Sequence, residues 1–173
     1  AKDTEHICTS IPPLEDVYVV PAFAGLGAPY WDANAKGAIY GLTLDIGKNE
    51  IIKATVEALA YQTTDVLKAM EDDSGKQISV LKVDGGASAN NYLMQFQSDI
   101  TNIPVDRPKT IETTALGAAM LAGLQAGIWT MKELHAIRDI DTLFEPQMKA
   151  ATRTTKYSGW LAAVKRTQTT TKA

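Results

Sequence analysis

The stretch Val80-Leu81-Lys82-Val83-Asp84-Gly85-Gly86-Ala87-Ser88-Ala89-Asn90-Asn91 gathers the groups best placed to do chemistry. The apolar residues from Ile78 to Val83, several of them β-branched, predict a strand buried inside a sheet. Gly85 and Gly86 lack a Cβ, so another group can approach the backbone there, or the chain can turn with positive φ. Ala87 to Asn91 opens a helix, with Ser88 or Asn90 available to cap it. A strand, a glycine turn and a helix N-terminus together make a geometry that holds nucleotides, because N–H groups and the helix dipole point at the ligand. A double glycine after a strand also serves as a plain tight turn, and these residues alone leave both readings open.

The remaining reactive residues do not converge in the sequence. Asp16, Asp32, Asp84, Asp99 and Glu112 are scattered. Asp84, at the C-terminal end of its strand, is the best placed, since ligands of open α/β sheets bind there; its other reading is a cap on the turn. His6 and His135 lie far apart and beside no cysteine or acidic cluster, which predicts surface histidines and no metal site. The chain has no Walker A motif and no six-residue dinucleotide fingerprint. Any nucleotide would therefore be held by backbone approach and a shaped crevice.

Several elements must position that turn. Val17–Pro21 and Gly37–Thr43 read as strands around a structured loop, Phe23–Asp32. A long helix is expected from about Glu50 to Asp73, with Asn49 as its cap and Ser74-Gly75 as its stop. Its buried face is expected to carry Ile52, Val56, Leu59, Thr63, Val66 and Met70. The helix after the glycines buries Leu93, Phe96 and Ile100. Ile103–Arg107, bracketed by Pro104 and Pro108, reads as an edge or irregular strand. Thr113 or Thr114 caps a helix rich in Ala and Gly that runs to about Ala126. Tight packing on the sheet is its favoured reading, and a surface against a second lobe is the other. Lys132–Ile137 suggests a further helical turn. Met148 to Lys165 is a last amphipathic helix, with Tyr157, Trp160, Leu161 and Val164 inward. Strand and helix alternate after Glu50, so the expected class is α/β with parallel neighbours.

Composition narrows the function. With 45% apolar residues the chain can build a globular core. Its net charge of −3, without a basic block, points away from nucleic acid and anionic membranes. The longest apolar run, Ala115 to Trp129, is interrupted by Gln125 and too short to span a bilayer. One cysteine, Cys8, cannot form an internal disulfide, which fits a reducing, cytoplasmic setting. Residues 1–16 are polar with Pro12-Pro13 and read as a linker or cut end, and residues 167–173 as a flexible tail.

Gly37-x-Ile39-x-Gly41-Leu42, then seven residues, then Glu50-Ile51-x-x-Ala54-Thr55-Val56-Glu57, is similar at every defined position to a signature of the FGGY family of carbohydrate kinases. The resemblance runs from about Val17 to Arg166. Pro21–Thr43 and the segments around Glu57, Asp84 and Thr113 resemble the members that phosphorylate glycerol. The resemblance implies the C-terminal, nucleotide-side part of a ribonuclease-H-like (actin-like ATPase) lobe, incomplete on its own. It implies ATP and Mg²⁺ as cofactors of the complete enzyme, glycerol as acceptor, a missing N-terminal lobe as partner, and assembly as a homo-dimer or tetramer. Gly86 and Asn90 match the family's adenine-nucleotide contacts, with Gly85, Ala87 and Asn91 beside them. The family's general-base aspartate, glycerol contacts and phosphate loop match nothing in this chain, so no catalytic residue is expected in it. A kinase of another polyol or sugar, or a non-catalytic nucleotide-binding or assembly module, are the alternatives.

Overall fold

A computed structural model describes residues 2–110, 112–136 and 140–169. In chain order the elements are α1 (Lys2–Ser10), β1 (Tyr18–Val20), β2 (Ala38–Tyr40), α2 (Lys48–Ser74), β3 (Leu81–Lys82), a 3-10 turn (Gly86–Ala89), α3 (Asn91–Thr101), β4 (Val105–Pro108), α4 (Thr113–Gln125), α5 (Met131–Ala136), β5 (Ile140–Phe144) and α6 (Ala150–Thr167). β1 and β2 form an antiparallel pair with Tyr18 opposite Tyr40. The second sheet has the order β3-β4-β5, with β3 parallel and β5 antiparallel to β4.

The 27-residue α2 is the axis of the fold. Its cap is Gly47, whose N–H donates to Glu50 Oε2 at 2.9 Å, rather than Asn49. It stops at Gly75, which takes the left-handed conformation (φ 65°) and donates its N–H to Glu71 O, as a C-terminal glycine does. Tyr61 on α2 stacks on Trp160 of α6 at 5.2 Å and meets Phe96 of α3 edge-on at 5.4 Å. Tyr18 of β1 completes this aromatic centre. Trp160 is fully buried, so Trp160, Tyr61 and Phe96 join α2, α3 and α6 into one core.

The expected face of α2 is only in part the one it buries. Of that face Val56 is buried and Ile52 and Thr63 are half-buried, but Leu59, Val66 and Met70 are exposed, whereas Lys53, Ala54, Glu57, Ala58, Ala60, Tyr61, Thr64, Asp65 and Leu67 are buried. Apolar spacing cannot reveal a face whose charged groups are matched by partners, and these are. Lys53 Nζ donates to the carbonyls of Cys8, Ile11 and Pro12 at 2.8–3.0 Å. Asp65 accepts from Tyr157 Oη and Trp160 Nε1.

Other elements also depart from expectation. Residues 2–10 are helical rather than linker, because Lys53 collects the carbonyls at the end of α1 and Cys8 is fully buried against the core. β3 is two residues long, and Val80 and Lys82 are exposed rather than buried; among the described residues it has a neighbour on one side only. β4 is the central strand rather than an edge, and the other expectation for it, an irregular end, holds. Its prolines fit because Pro104 contributes its carbonyl to Leu81 N, and the ladder shifts register at Arg107/Pro108. β5, which no sequence pattern announced, supplies the other neighbour. α4 is mostly exposed, and the favoured tight packing on the sheet is not seen. Gly123 is its one buried residue, where an added Cβ would come within 2.2 Å of the Trp129 ring. On α6, Ala163 rather than Leu161 faces inward. The end of the chain is held as far as Thr169, whose N–H donates to Asp32 Oδ2; Ile137 and residues 170–173 of the expected helix and tail lie outside the described residues.

Gly41 carries a constraint that can be measured. It has φ +82°, and a Cβ there would lie 1.8 Å from the Asp16 carbonyl oxygen. Gly41→Ala is expected to lower unfolding stability by at least about 2 kcal/mol, from left-handed strain plus displacement of the β1–β2 corner. Urea unfolding with an unchanged midpoint would contradict this.

Candidate functional site

The turn after β3 is built by backbone conformation. Gly85 has φ 78° and ψ 172°, outside the range of L-residues with side chains. Ser88 then locks the 3-10 turn by donating its hydroxyl to Gly85 O at 2.7 Å. A Cβ added at Gly85 or Gly86 would meet nothing within 4 Å, so both glycines face open space. Gly86 and Ala87 are exposed. Asp84 accepts a hydrogen bond from Thr113 Oγ1 at the start of α4, a contact between two elements rather than the cap on the turn that its position suggests.

The two asparagines have different tasks. Asn90 is buried, and its Oδ1 caps α3 by accepting from Leu93 N at 3.0 Å. Its Nδ2 donates to Thr4 Oγ1 at 3.3 Å. Asn90 therefore shapes the turn from beneath. Asn91 donates its N–H and its Nδ2 to the two oxygens of Glu5, at 3.0 and 2.9 Å. Its Oδ1 accepts from Arg107 Nη1, which also donates to Ser88 O. The other side of the Arg107 guanidinium holds Asp141 at 2.8 Å, and the guanidinium lies over the Phe144 ring. Hydrogen bonding to Arg107 and Thr142 keeps the Asp141 carboxyl below the usual carboxylate range.

The first N–H of α3 is already taken, because the Glu5 carboxylate accepts it. What the turn offers is a bare glycine backbone beside a cleft of about 520 Å³. Leu59, Thr63 and Val66 of α2, Leu81, Val83, Asp84, Ala87, Ser88 and Met94 line that cleft.

The structure gives the scattered carboxylates other work. Asp32 closes its loop by accepting from Asn34 N and Ala35 N. Asp99 accepts from Gln147 N and Met148 N ahead of α6. Asp16 and Glu112 are exposed, as is His6. Among the described residues no three of His, Cys, Asp and Glu converge as a metal site would need. No helix there is long and apolar enough to cross a membrane. Thr4, Glu5 and Arg107 escaped the sequence reading, since nothing local marks a side chain whose partner is distant in the chain.

The family profile described as the FGGY family of carbohydrate kinases, C-terminal domain, matches residues 4–126. The chain belongs to the FGGY family of carbohydrate kinases. A glycerol kinase of Alkaliphilus oremlandii is 57% identical over 167 residues, covering 96% of this chain and 33% of that protein. The structure of Plasmodium falciparum glycerol kinase with ADP superposes with a TM-score of 0.86 at 35% identity, over 98% of this chain and 34% of that one. A gluconate kinase of Lactobacillus acidophilus shares the fold, with a TM-score of 0.74 at 23% identity over 95% of this chain and 34% of that one. The chain spans about a third of the length of the curated relatives it matches.

In this FGGY chain the signature residues have structural roles. Gly41 fits under Asp16 O, Glu50 caps α2, and Ala54 is buried. Glu57 is buried and accepts from Tyr92 Oη of α3 at 2.5 Å. Burial pushes its carboxyl up, opposed by Lys156, Tyr92 and Lys53. Burial likewise pushes the Cys8 thiol up to about 11, with the Lys53 ammonium opposing it. The folded chain thus holds the thiol proton more tightly than the unfolded chain does. The stability tied to it is intact below pH 9 and is lost as pH rises from 9 toward 11. Cys8 is expected to resist an aromatic disulfide reagent at pH 8 while folded and to react fully in denaturant. Rapid labelling of the folded protein at pH 8 would refute both its burial and its raised thiol.

Proposed function

We propose that this chain is the nucleotide-side, C-terminal part of an ATP-dependent glycerol kinase, with residues 17–166 forming the end of its C-terminal lobe. The complete enzyme would transfer the γ-phosphoryl group of ATP to a terminal hydroxyl of glycerol, giving glycerol 3-phosphate. The observation that carries this is the bare Gly85-Gly86 backbone, facing open space in a chain that resembles an ADP-bound glycerol kinase with a TM-score of 0.86. Identity of 57% to a glycerol kinase supports glycerol as the acceptor.

In this reading Gly85, Gly86 and Ala87 form one wall against which the adenosine lies. Asn90 and Asn91 hold that wall in shape. With the Glu5 carboxylate on the α3 N-terminus, the wall suits the uncharged nucleoside, and the phosphates run toward the rest of the enzyme. Mg²⁺ bound with ATP would neutralise charge on the β- and γ-phosphate oxygens. The described residues present no converging set of carboxylates to ligate it, so this chain is assigned no step through the metal. Nor does the chain supply the base that takes the glycerol proton. The upstream part of the protein would pack on the apolar wall of Leu59, Val66, Leu81 and Val83 beside the open side of β3.

In the full-length protein, Gly86→Val should place a branched side chain where adenosine lies. The expected result is a KM for ATP raised about tenfold or more, equivalent to about 1.4 kcal/mol, with the KM for glycerol changed far less. An unchanged KM for ATP would remove Gly86 from the nucleotide site. The 173-residue chain by itself should show no glycerol-dependent ATP consumption, and measurable turnover would place catalytic groups within it.

A further inference from the structure

We propose that α1 is a strut that sets the shape of the nucleotide turn, with Glu5 as the positioning residue at its working end. The inference rests on the reading of Gly85–Ala87 as the adenosine wall and adds the element that controls it.

α1 is fastened at both ends. At its C-terminal end the Lys53 ammonium gathers the carbonyls of Cys8, Ile11 and Pro12. A cation on the last carbonyls of a helix is favourable both as hydrogen bonding and against the helix dipole. Near its N-terminal end Thr4 reaches Asn90 and Glu5 reaches Asn91. Glu5 and Asn91 are 86 residues apart, so this pairing is wholly tertiary. The Glu5 carboxylate accepts one N–H from the backbone and one from the side chain of the same residue, which fixes both the direction of α3 and the Asn91 carboxamide. The carboxamide in turn presents Oδ1 to Arg107, and Arg107 grips Ser88 O inside the turn. The chain of contacts from Lys53 to Ser88 is therefore continuous. Every link from Glu5 onward consists of charge-assisted or amide hydrogen bonds with a defined direction.

Two effects follow from the position of Glu5. It holds the turn in the conformation that exposes the Gly85-Gly86 backbone. It also fills the anion-attracting end of α3, so a phosphate has no reason to settle there. Glu5 is half-buried and Asn91 is exposed, so their loss leaves the aromatic core around Tyr61 untouched.

The test uses the full-length protein, with steady-state kinetics and equilibrium binding of ADP. Glu5→Ala should raise the KM for ATP and the Kd for ADP about fivefold to tenfold. Its kcat and its KM for glycerol should stay within about twofold, and its melting temperature should barely move. Glu5→Gln, which keeps one carbonyl acceptor for Asn91, should recover part of the loss. If Glu5→Ala leaves ATP and ADP binding unchanged while Gly86→Val weakens them, the strut is wrong and the nucleotide wall stands. If neither variant changes them, the nucleotide reading falls and the strut with it. If Glu5→Ala lowers the melting temperature and shifts both KM values together, α1 merely supports the fold and the proposal is overturned.

Discussion

One buried cation holds this structure together. Lys53 lies inside α2 and would be costly to bury alone, because an unpaired ammonium loses its hydration. Three backbone carbonyls take the place of that water, and the Tyr92 ring lies 5.0 Å from the ammonium. Desolvation lowers the Lys53 pKa, while neighbouring Glu57 favours the charged form. The three carbonyls belong to the segment that leaves α1 and runs toward β1. One side chain thus ties the end of α1 and the segment leading to β1 onto α2. A hydrogen bond to a charged group contributes about 1.5–3 kcal/mol, so three together rival the removal of a large core side chain.

The parts of the fold legible in the sequence were those with local causes. α2 was marked by its length and by Ser74-Gly75, α3 by Leu93, Phe96 and Ile100, and the turn by its two glycines. The illegible parts were those settled by distant partners. Pro12-Pro13 and a polar composition made residues 1–16 resemble a linker, because nothing nearby announces that Lys53 will reach Cys8 O. Part of the α2 face escapes because apolar spacing counts Leu59, Val66 and Met70 and passes over Lys53, Glu57 and Asp65, which hold helical spacing equally well. Hydrophobic periodicity measures greasiness, and a buried face made of matched charges escapes it. At the site, the glycines could be read directly, whereas the jobs of Asn90, Asn91 and Arg107 depend on Thr4, Glu5 and Asp141, each remote in the chain.

The FGGY signature takes on a physical meaning in this light. Its glycine, its capping glutamate and its buried glutamate act on the β1–β2 corner and on α2, away from the glycine turn. Glu57 reaches α3 through Tyr92, so the signature reaches the turn only indirectly, through the element that follows it. A sequence pattern that identifies the family here identifies the scaffold beneath the site.

Among the described residues one flank of β3 is unmatched, and this has a consequence of another kind. An extended segment that is paired on one side, short, and flanked by exposed Val80, Leu59 and Val66 is a template for strand addition. In the chain by itself that flank is the edge at which strand addition would begin. The lysine at position 82, exposed within the strand, is a charge at the place where such stacking would begin, and charged edge residues of this kind hinder aggregation.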